Sequence, residues 1–185
     1  MEVYLLKETG YEEAMLGISL SWASTVARAK DISIKLAFKQ GGHNKFLESI
    51  MIWLDVTAPR YWWQEFDTYR VGVTKQSAST MHTITKRTLE HEDFEMIDGV
   101  VLDYLNEYII SYQDETDPIR KKEKFYMIKN LLPEGFLQRR IVCMNMKTLQ
   151  NMYAQRKNHK LPEWRNFFND LFRQLDNADL IVEEQ

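Results

Sequence analysis

Apolar positions along this chain fall into two periods, and each switch between them marks a new element. Residues 2–8, EVYLLKE, alternate and predict a strand. Residues 11–29 carry helical spacing through Met15, Leu16, Ile18 and Leu20. A second, shorter helix is predicted over 31–39 from Ile32, Ile34, Leu36 and Phe38. GGHN at 41–44 breaks the pattern. Residues 50–58, IMIWLDVTA, are rich in branched and aromatic side chains and predict a strand. Pro59 opens a helix reaching about Thr68, because proline suits the first helical turn. YRVGVTKQS, 69–77, is extended again. Amphipathic helices follow over 99–113 and 118–131, parted by DETDP. LLPEG turns the chain into a strand at 136–145, FLQRRIVCMN. The last two helices span 146–158 and Pro162 to Leu175. In the second of these, Trp164, Phe167, Phe168, Leu171, Phe172 and Leu175 form a continuous apolar stripe. With no repeat or linker, the pattern predicts one mixed α/β domain over residues 1–185.

Composition narrows the setting. The 185 residues are 44% hydrophobic, enough for a buried core, and the net charge of −3 offers no general attraction to nucleic acid or anionic lipid. The longest apolar run, IMIWL, is too short to span a bilayer, and the first ten residues lack the basic and apolar parts of a signal peptide. One cysteine excludes an internal disulfide framework, and the expected compartment is the cytoplasm. No nucleic-acid or membrane partner is expected.

The charge is unevenly spread. Residues 136–165 hold Arg139, Arg140, Lys147, Arg156, Lys157, Lys160 and Arg165 against Glu163 alone. This is either a solvated basic face or an anion site, most simply for phosphate. Arg156 sharpens the question. Wound as a helix, residues 146–158 place it on the same face as Leu149, Met152 and Tyr153. A guanidinium aimed inward needs a partner, which is either a ligand or a carboxylate of the chain itself.

Common catalytic signatures are missing. There is no glycine-rich phosphate loop, dinucleotide fingerprint, zinc-protease motif or nucleophile elbow. His43, His82, His91 and His159 lack ligand spacing, so no metal is expected. Cys143 sits in an apolar strand and reads as a structural thiol. RYWWQEF can stack a planar ring, fill a core or line a subunit interface.

The order of features resembles the flavin-dependent thymidylate synthases over roughly residues 31–175. In that family a histidine-containing turn leads into a strand ending in Ala-Pro; here these are His43, Ala58 and Pro59. Further on comes a basic residue, then Leu-Pro, then a strand ending in Asn; here these are Lys129, Leu132, Pro133 and Asn145. The helix that follows carries a basic residue, a hydroxyl residue, Leu, Asn and Arg at fixed spacing. Here they are Lys147, Thr148, Leu149, Asn151 and Arg156, without a gap. His159, Glu163 and Arg165 resemble the next motif with one residue removed.

The resemblance implies an α+β fold, a mixed sheet with flanking helices. It implies C5 methylation of a pyrimidine deoxynucleotide such as dUMP, using FAD, methylenetetrahydrofolate and NADPH. It assigns Arg156, Lys129 and Asn151 to the nucleotide, and Asn145, Lys147, His43 and His159 to the cofactor. It implies a homotetramer with sites shared between subunits. Asn151 and Arg156 on opposite sides of one helix fit that expectation, as do Tyr61, Trp62 and Trp63, which cannot all face one core from a helix.

The first half departs from the pattern. The family's RHRxxS reads Thr68, Tyr69, Arg70, Val71, Gly72 and Val73, keeping only the second arginine. A one-residue slip brings Gln64 and Ser79 onto a conserved glutamine and the next motif's serine, so the candidate nucleotide ligands include Gln64, Arg70 and Ser79, and the register across 64–82 stays open. The lost Arg and His hold flavin phosphates in the family. Lys75, Gln76, Ser77, Ser79 and His82 are either a different polar site or ordinary surface residues. Two functions therefore stand: a divergent flavin-dependent methylase, or the same scaffold binding a nucleotide without flavin chemistry.

Overall fold

The computed structural model describes residues 1–39 and 41–182. Its strands are β1 (Glu2–Thr9), β2 (Met51–Pro59), β3 (Val73–Ser77) and β4 (Leu137–Asn145). They form one antiparallel sheet in the order β1-β2-β4-β3. The helices are α1 (Tyr11–Ser21), α2 (Val26–Ala37), α3 (Arg60–Phe66), α4 (Thr80–Thr83), α5 (Gly99–Asp114), α6 (Pro118–Leu131), α7 (Met146–Arg156) and α8 (Pro162–Phe172). This is the mixed α/β class expected from the pattern.

Alternation in β2 decides the layering. Ile52, Leu54, Val56 and Ala58 point to one side and are fully buried, with Val142 and Met144 of β4 beside them. Leu149 and Met152 of α7 and the stripe of α8 close over that side. On the other side Tyr4 and Trp53 stay largely exposed.

The predicted helix over 11–29 is in fact two. The chain turns at 22–25, Ala23 adopts φ 48°, and the Thr25 hydroxyl accepts from the backbone N–H of Arg28 to start α2. Apolar spacing runs on through this break, which is why periodicity alone missed it. α2 then absorbs most of the predicted 31–39 helix. Extended structure in 69–77 is confined to β3, because Gly72 turns the chain at φ 69°.

The argument that Tyr61, Trp62 and Trp63 need another subunit fails. α3 is covered on two sides, so both tryptophans are fully buried within one chain. Trp62 meets Trp164 and Phe167 of α8, with centroids 4.8 and 5.3 Å apart. Trp63 donates its indole N–H to the Gln138 carbonyl of β4 at 2.8 Å, and Arg140 lies over its ring at 4.3 Å. Tyr61, half-buried, donates its hydroxyl to Glu163. Burial and that bond raise the Tyr61 pKa.

A second, smaller hydrophobic cluster lies apart from the sheet. Leu102, Leu105 and Ile109 of α5 meet Ile128 of α6, with Ile84, Leu89, Phe94 and Leu132 around them. Asp98 and Asp117 cap the two helices, each accepting backbone N–H groups of the first turn. No helix among the described residues is long and apolar enough to cross a membrane.

Candidate functional site

α7 starts where β4 ends, and Asn145 makes the junction. Its side-chain oxygen accepts from the Thr148 N–H at 2.8 Å, capping the helix. The 70–72 turn lies on top. Asn145 N–H donates to the Gly72 carbonyl at 3.1 Å, and the Thr148 hydroxyl donates to the Val71 carbonyl at 2.8 Å. A Cβ on Gly72 would come within 2.4 Å of the Asn145 amide nitrogen, so contact this close needs glycine.

Beside this junction opens a cleft of about 1020 Å³. Residues 68–71 form one wall and α7 the other, through Lys147, Thr148, Gln150, Asn151, Tyr153, Ala154 and Lys157. Phe38, Ile181 and Val182 complete it. Arg70, Lys147 and Lys157 bring three positive charges, and no Asp or Glu lines the cleft among the described residues. Phe38, Tyr69 and Tyr153 add aromatic surface. Cations with aromatic walls suit an anionic molecule that carries a planar ring.

Of the residues read from the sequence, Arg70, Lys147 and Asn151 meet in this cleft. Asn145 lies under its floor as a helix cap. The others lie elsewhere. Gln64 donates to Glu134 at 2.9 Å on the outer side of α3, and Glu65, not Gln64, turns toward Arg156. Lys129 donates to the Thr80 hydroxyl, next to Ser79 at the start of α4. Burial, then the nearby Arg60 charge, lowers the Lys129 pKa. His43 is exposed on the loop before β2. Of the residues expected at the cofactor, Lys147 lines the cleft, Asn145 caps the helix beside it, and His43 and His159 are not among the lining residues.

Arg156 faces inward as expected, but its partner belongs to the chain. Its guanidinium meets Glu65 at 3.2 Å, donates through Nε to the Tyr69 hydroxyl at 3.1 Å, and lies over the Trp164 ring at 5.4 Å. Glu65 also accepts the Trp164 indole N–H at 2.8 Å, and His159 Nε2 stands 3.4 Å away. The pair is half-wet, with side chains 22% and 30% exposed. Of the two partners open to Arg156 from its sequence, the structure shows the carboxylate.

Thr148, Lys157, Phe38 and Tyr153 were missed as cleft residues. One signal was present: Lys147, Asn151 and Ala154 recur at helical spacing along one polar side of α7. Cys143 is half-buried in β4, and burial raises its thiol pKa. Among the described residues no three His, Cys, Asp or Glu side chains converge on a possible metal.

The family model for the thymidylate synthase complementing protein matches residues 9–179. No curated protein sequence matches the chain. Among solved structures, a flavin-dependent thymidylate synthase from Helicobacter pylori complexed with FAD and dUMP is 18% identical; the match covers 99% of each chain, with TM-score 0.79. A second structure of the Helicobacter pylori enzyme with FAD and dUMP is 17% identical; the match covers 99% of this chain and 98% of that one, with TM-score 0.78. Fold, strand-end motif and family match agree, and the chain belongs to the thymidylate synthase complementing protein family.

Proposed function

We propose that the protein binds a pyrimidine deoxynucleotide such as dUMP and methylates its C5 position as a divergent flavin-dependent thymidylate synthase. The observation that carries this reading is the cleft between residues 68–71 and α7. It is cationic and aromatic, and it sits where the family's two motifs come together. Solved relatives from Helicobacter pylori hold FAD and dUMP on the same fold.

The residues present suit a flavin in outline. Arg70, Lys147 and Lys157 would hold its phosphates, and Tyr69, Tyr153 and Phe38 offer surfaces for its ring. When bound, flavin supplies the electron-transfer chemistry that no side chain here can supply. The chain itself binds, orients and shields from water. Methylenetetrahydrofolate as carbon donor and NADPH as reductant complete the proposed reaction.

One observation favours a second reading, nucleotide binding without flavin. Thr68 and Tyr69 stand where the family has phosphate-holding Arg and His. Thr68 turns its hydroxyl back to the Glu65 carbonyl at 2.7 Å, and the Tyr69 hydroxyl is taken up by Arg156 and Gln155. Both hydroxyls are thus already engaged within the chain. We further propose a homotetramer, because Lys129, Gln64 and Ser79 do not line the Arg70 cleft. A neighbouring copy would have to bring them there. α5 and α6 expose Val100, Tyr104, Ile119 and Tyr126, which suit such contacts.

A visible spectrum and a calorimetric dUMP titration of the purified protein test this. A yellow protein that binds dUMP supports the methylase. A colourless one that binds dUMP, even with added FAD, supports the second reading. No nucleotide binding overturns both. Light scattering that finds only the 22.1 kDa species removes the tetramer.

A further inference from the structure

A row of aromatic rings leads from the cleft to a buried carboxylate. Tyr69 lines the cleft. Its ring centroid is 6.2 Å from that of Trp164, and Trp164 is 4.8 Å from Trp62. Both tryptophans are fully buried. Tyr61 precedes Trp62 on α3 and donates its hydroxyl to Glu163, the neighbour of Trp164 on α8. Rings this close exchange an electron readily.

Charge along the row is graded. The Arg156 guanidinium lies 5.9 Å from the Tyr69 ring and 5.4 Å from the Trp164 ring. Trp63 stands beside Trp62 at 4.9 Å, and Arg140 lies over it at 4.3 Å. A ring that loses an electron turns positive, so a cation over its face opposes the loss. Among the described residues no lysine or arginine lies over Trp62.

Proton acceptors are graded as well. An oxidised tyrosine keeps its hole by giving up its proton. Tyr69 faces only the Gln155 amide oxygen at 3.0 Å, a poor base. The Trp164 indole N–H points at the Glu65 oxygen that Arg156 already engages. The Trp62 N–H has no acceptor among the described residues. Tyr61 differs. Its acceptor, Glu163, is buried, makes no ion pair among the described residues, and has a second oxygen that meets no donor. Burial, then Glu163, raises the Tyr61 pKa, so the proton stays on oxygen until the ring is oxidised.

We propose that Tyr69, Trp164, Trp62 and Tyr61 form a relay that carries an oxidising equivalent out of the cleft and rests it as a neutral radical on Tyr61, with Glu163 as proton acceptor. The oxidant is a one-electron acceptor in the cleft, by class a photoexcited flavin or another photosensitiser. It takes one electron from the row. The hole moves through Trp164 to Trp62, Tyr61 fills it, and the Tyr61 O–H bond breaks as its proton goes to Glu163. The net change is one electron from Tyr61 to the oxidant and one proton from Tyr61 to Glu163. The relay goes beyond the methylase reading and does not require it. A hole that would otherwise settle on Tyr69 is drawn away from the groups that line the cleft.

The test places the oxidant by hand. A ruthenium polypyridyl is tethered in the cleft at Ala154→Cys, with Cys143→Ala removing the native thiol, and is flashed with a soluble cobalt(III) quencher. Electron spin resonance should show a neutral tyrosyl radical as the lasting species. Trapping it with a nitroso spin trap and mapping the adduct by mass spectrometry should place it on Tyr61; this step needs no further variant. Tyr61→Phe should lose the tyrosyl signal and leave a tryptophan radical cation. Glu163→Gln keeps a hydrogen-bond acceptor without a base, and should lose the tyrosyl signal too, which a merely structural Glu163 would not do. The radical should also form more slowly in D2O, because a proton moves with the electron. An adduct on Tyr69 or Tyr153, or no tyrosyl radical at all, overturns the relay. So does a tyrosyl signal undiminished in Tyr61→Phe. An undiminished signal in Glu163→Gln, or equal rates in the two solvents, overturns the part given to Glu163.

Discussion

Arg156 and Arg70 lie on either side of Tyr69, and they live differently. Arg156 has a carboxylate, a phenol and an indole face within reach. Arg70 makes no ion pair among the described residues and opens onto a cleft that shares its sign of charge with Lys147 and Lys157. The first is satisfied by the fold. The second is left for something else to satisfy. Substitutions on the two sides should therefore fail in different assays: melting for one, ligand binding for the other.

The largest expected effect is on the satisfied side. Glu65→Ala strands Arg156 and the Trp164 indole N–H together, and should cost about 3 kcal/mol. At this chain length that lowers the melting midpoint by roughly 6–12 °C in a thermal scan. An unchanged midpoint would show that Arg156 was never held by the fold. Gly72→Ala comes next, at about 2 kcal/mol. A positive φ and a Cβ pressed on the Asn145 cap both oppose it. Because Asn145 starts α7, this variant should also weaken dUMP binding, which calorimetry would show.

Arg70→Ala should leave the midpoint within about 2 °C, since it removes no internal partner. Its dUMP affinity should fall on the order of tenfold, and the remaining binding should depend less on salt. If Arg70→Ala melts early and binds normally, the contrast between the two arginines is backwards.

The smallest effect is in acid. Asp67 feels burial pushing its pKa up, but hydrogen bonds from Lys75 and Arg140 outweigh it and hold the pKa below the usual carboxylate range. A depressed carboxylate contributes stability that is present above its unfolded pKa. That contribution disappears as pH falls through the lower folded value. Wild type should thus lose part of its stability in that acidic window, and Asp67→Asn should flatten this part of the pH–midpoint curve.

How much of this could be read from the sequence varied with distance along the chain. The strands at 50–58 and 136–145 and the stripe of α8 were legible, because period alone separates their faces. The turn at 22–25 was not, since Leu20, Trp22, Val26 and Ala29 carry apolar spacing across it and only Thr25 marks the new start. The inward aim of Arg156 was legible from Leu149 and Met152. Its partner was not, because Glu65 lies 91 residues earlier. Arg70, read as a nucleotide ligand, and Lys147, read as a cofactor ligand, share one cleft with Asn151, whereas Lys129, Gln64 and Ser79 do not line it. Gln155 gave no signal at all. It is an exposed polar residue, and its long-range partner, the Tyr69 hydroxyl, arrives from a segment 86 residues earlier.

The separate cluster between α5 and α6 bears on how the chain finds its fold. β2 and β4 lie side by side, yet residues 60–136 intervene between them. Joining the two strands first would close a long loop before any contact repaid it. α5 and α6 need no such search, because their contacts are local and both helices carry their own caps. Formed early, the hairpin takes up much of the intervening chain as one rigid piece and shortens the loop that remains. Each halving of loop length lowers the closure cost by only about 0.6 kcal/mol. The larger gain is in time: the slow step becomes the meeting of two strands whose connection is already half built.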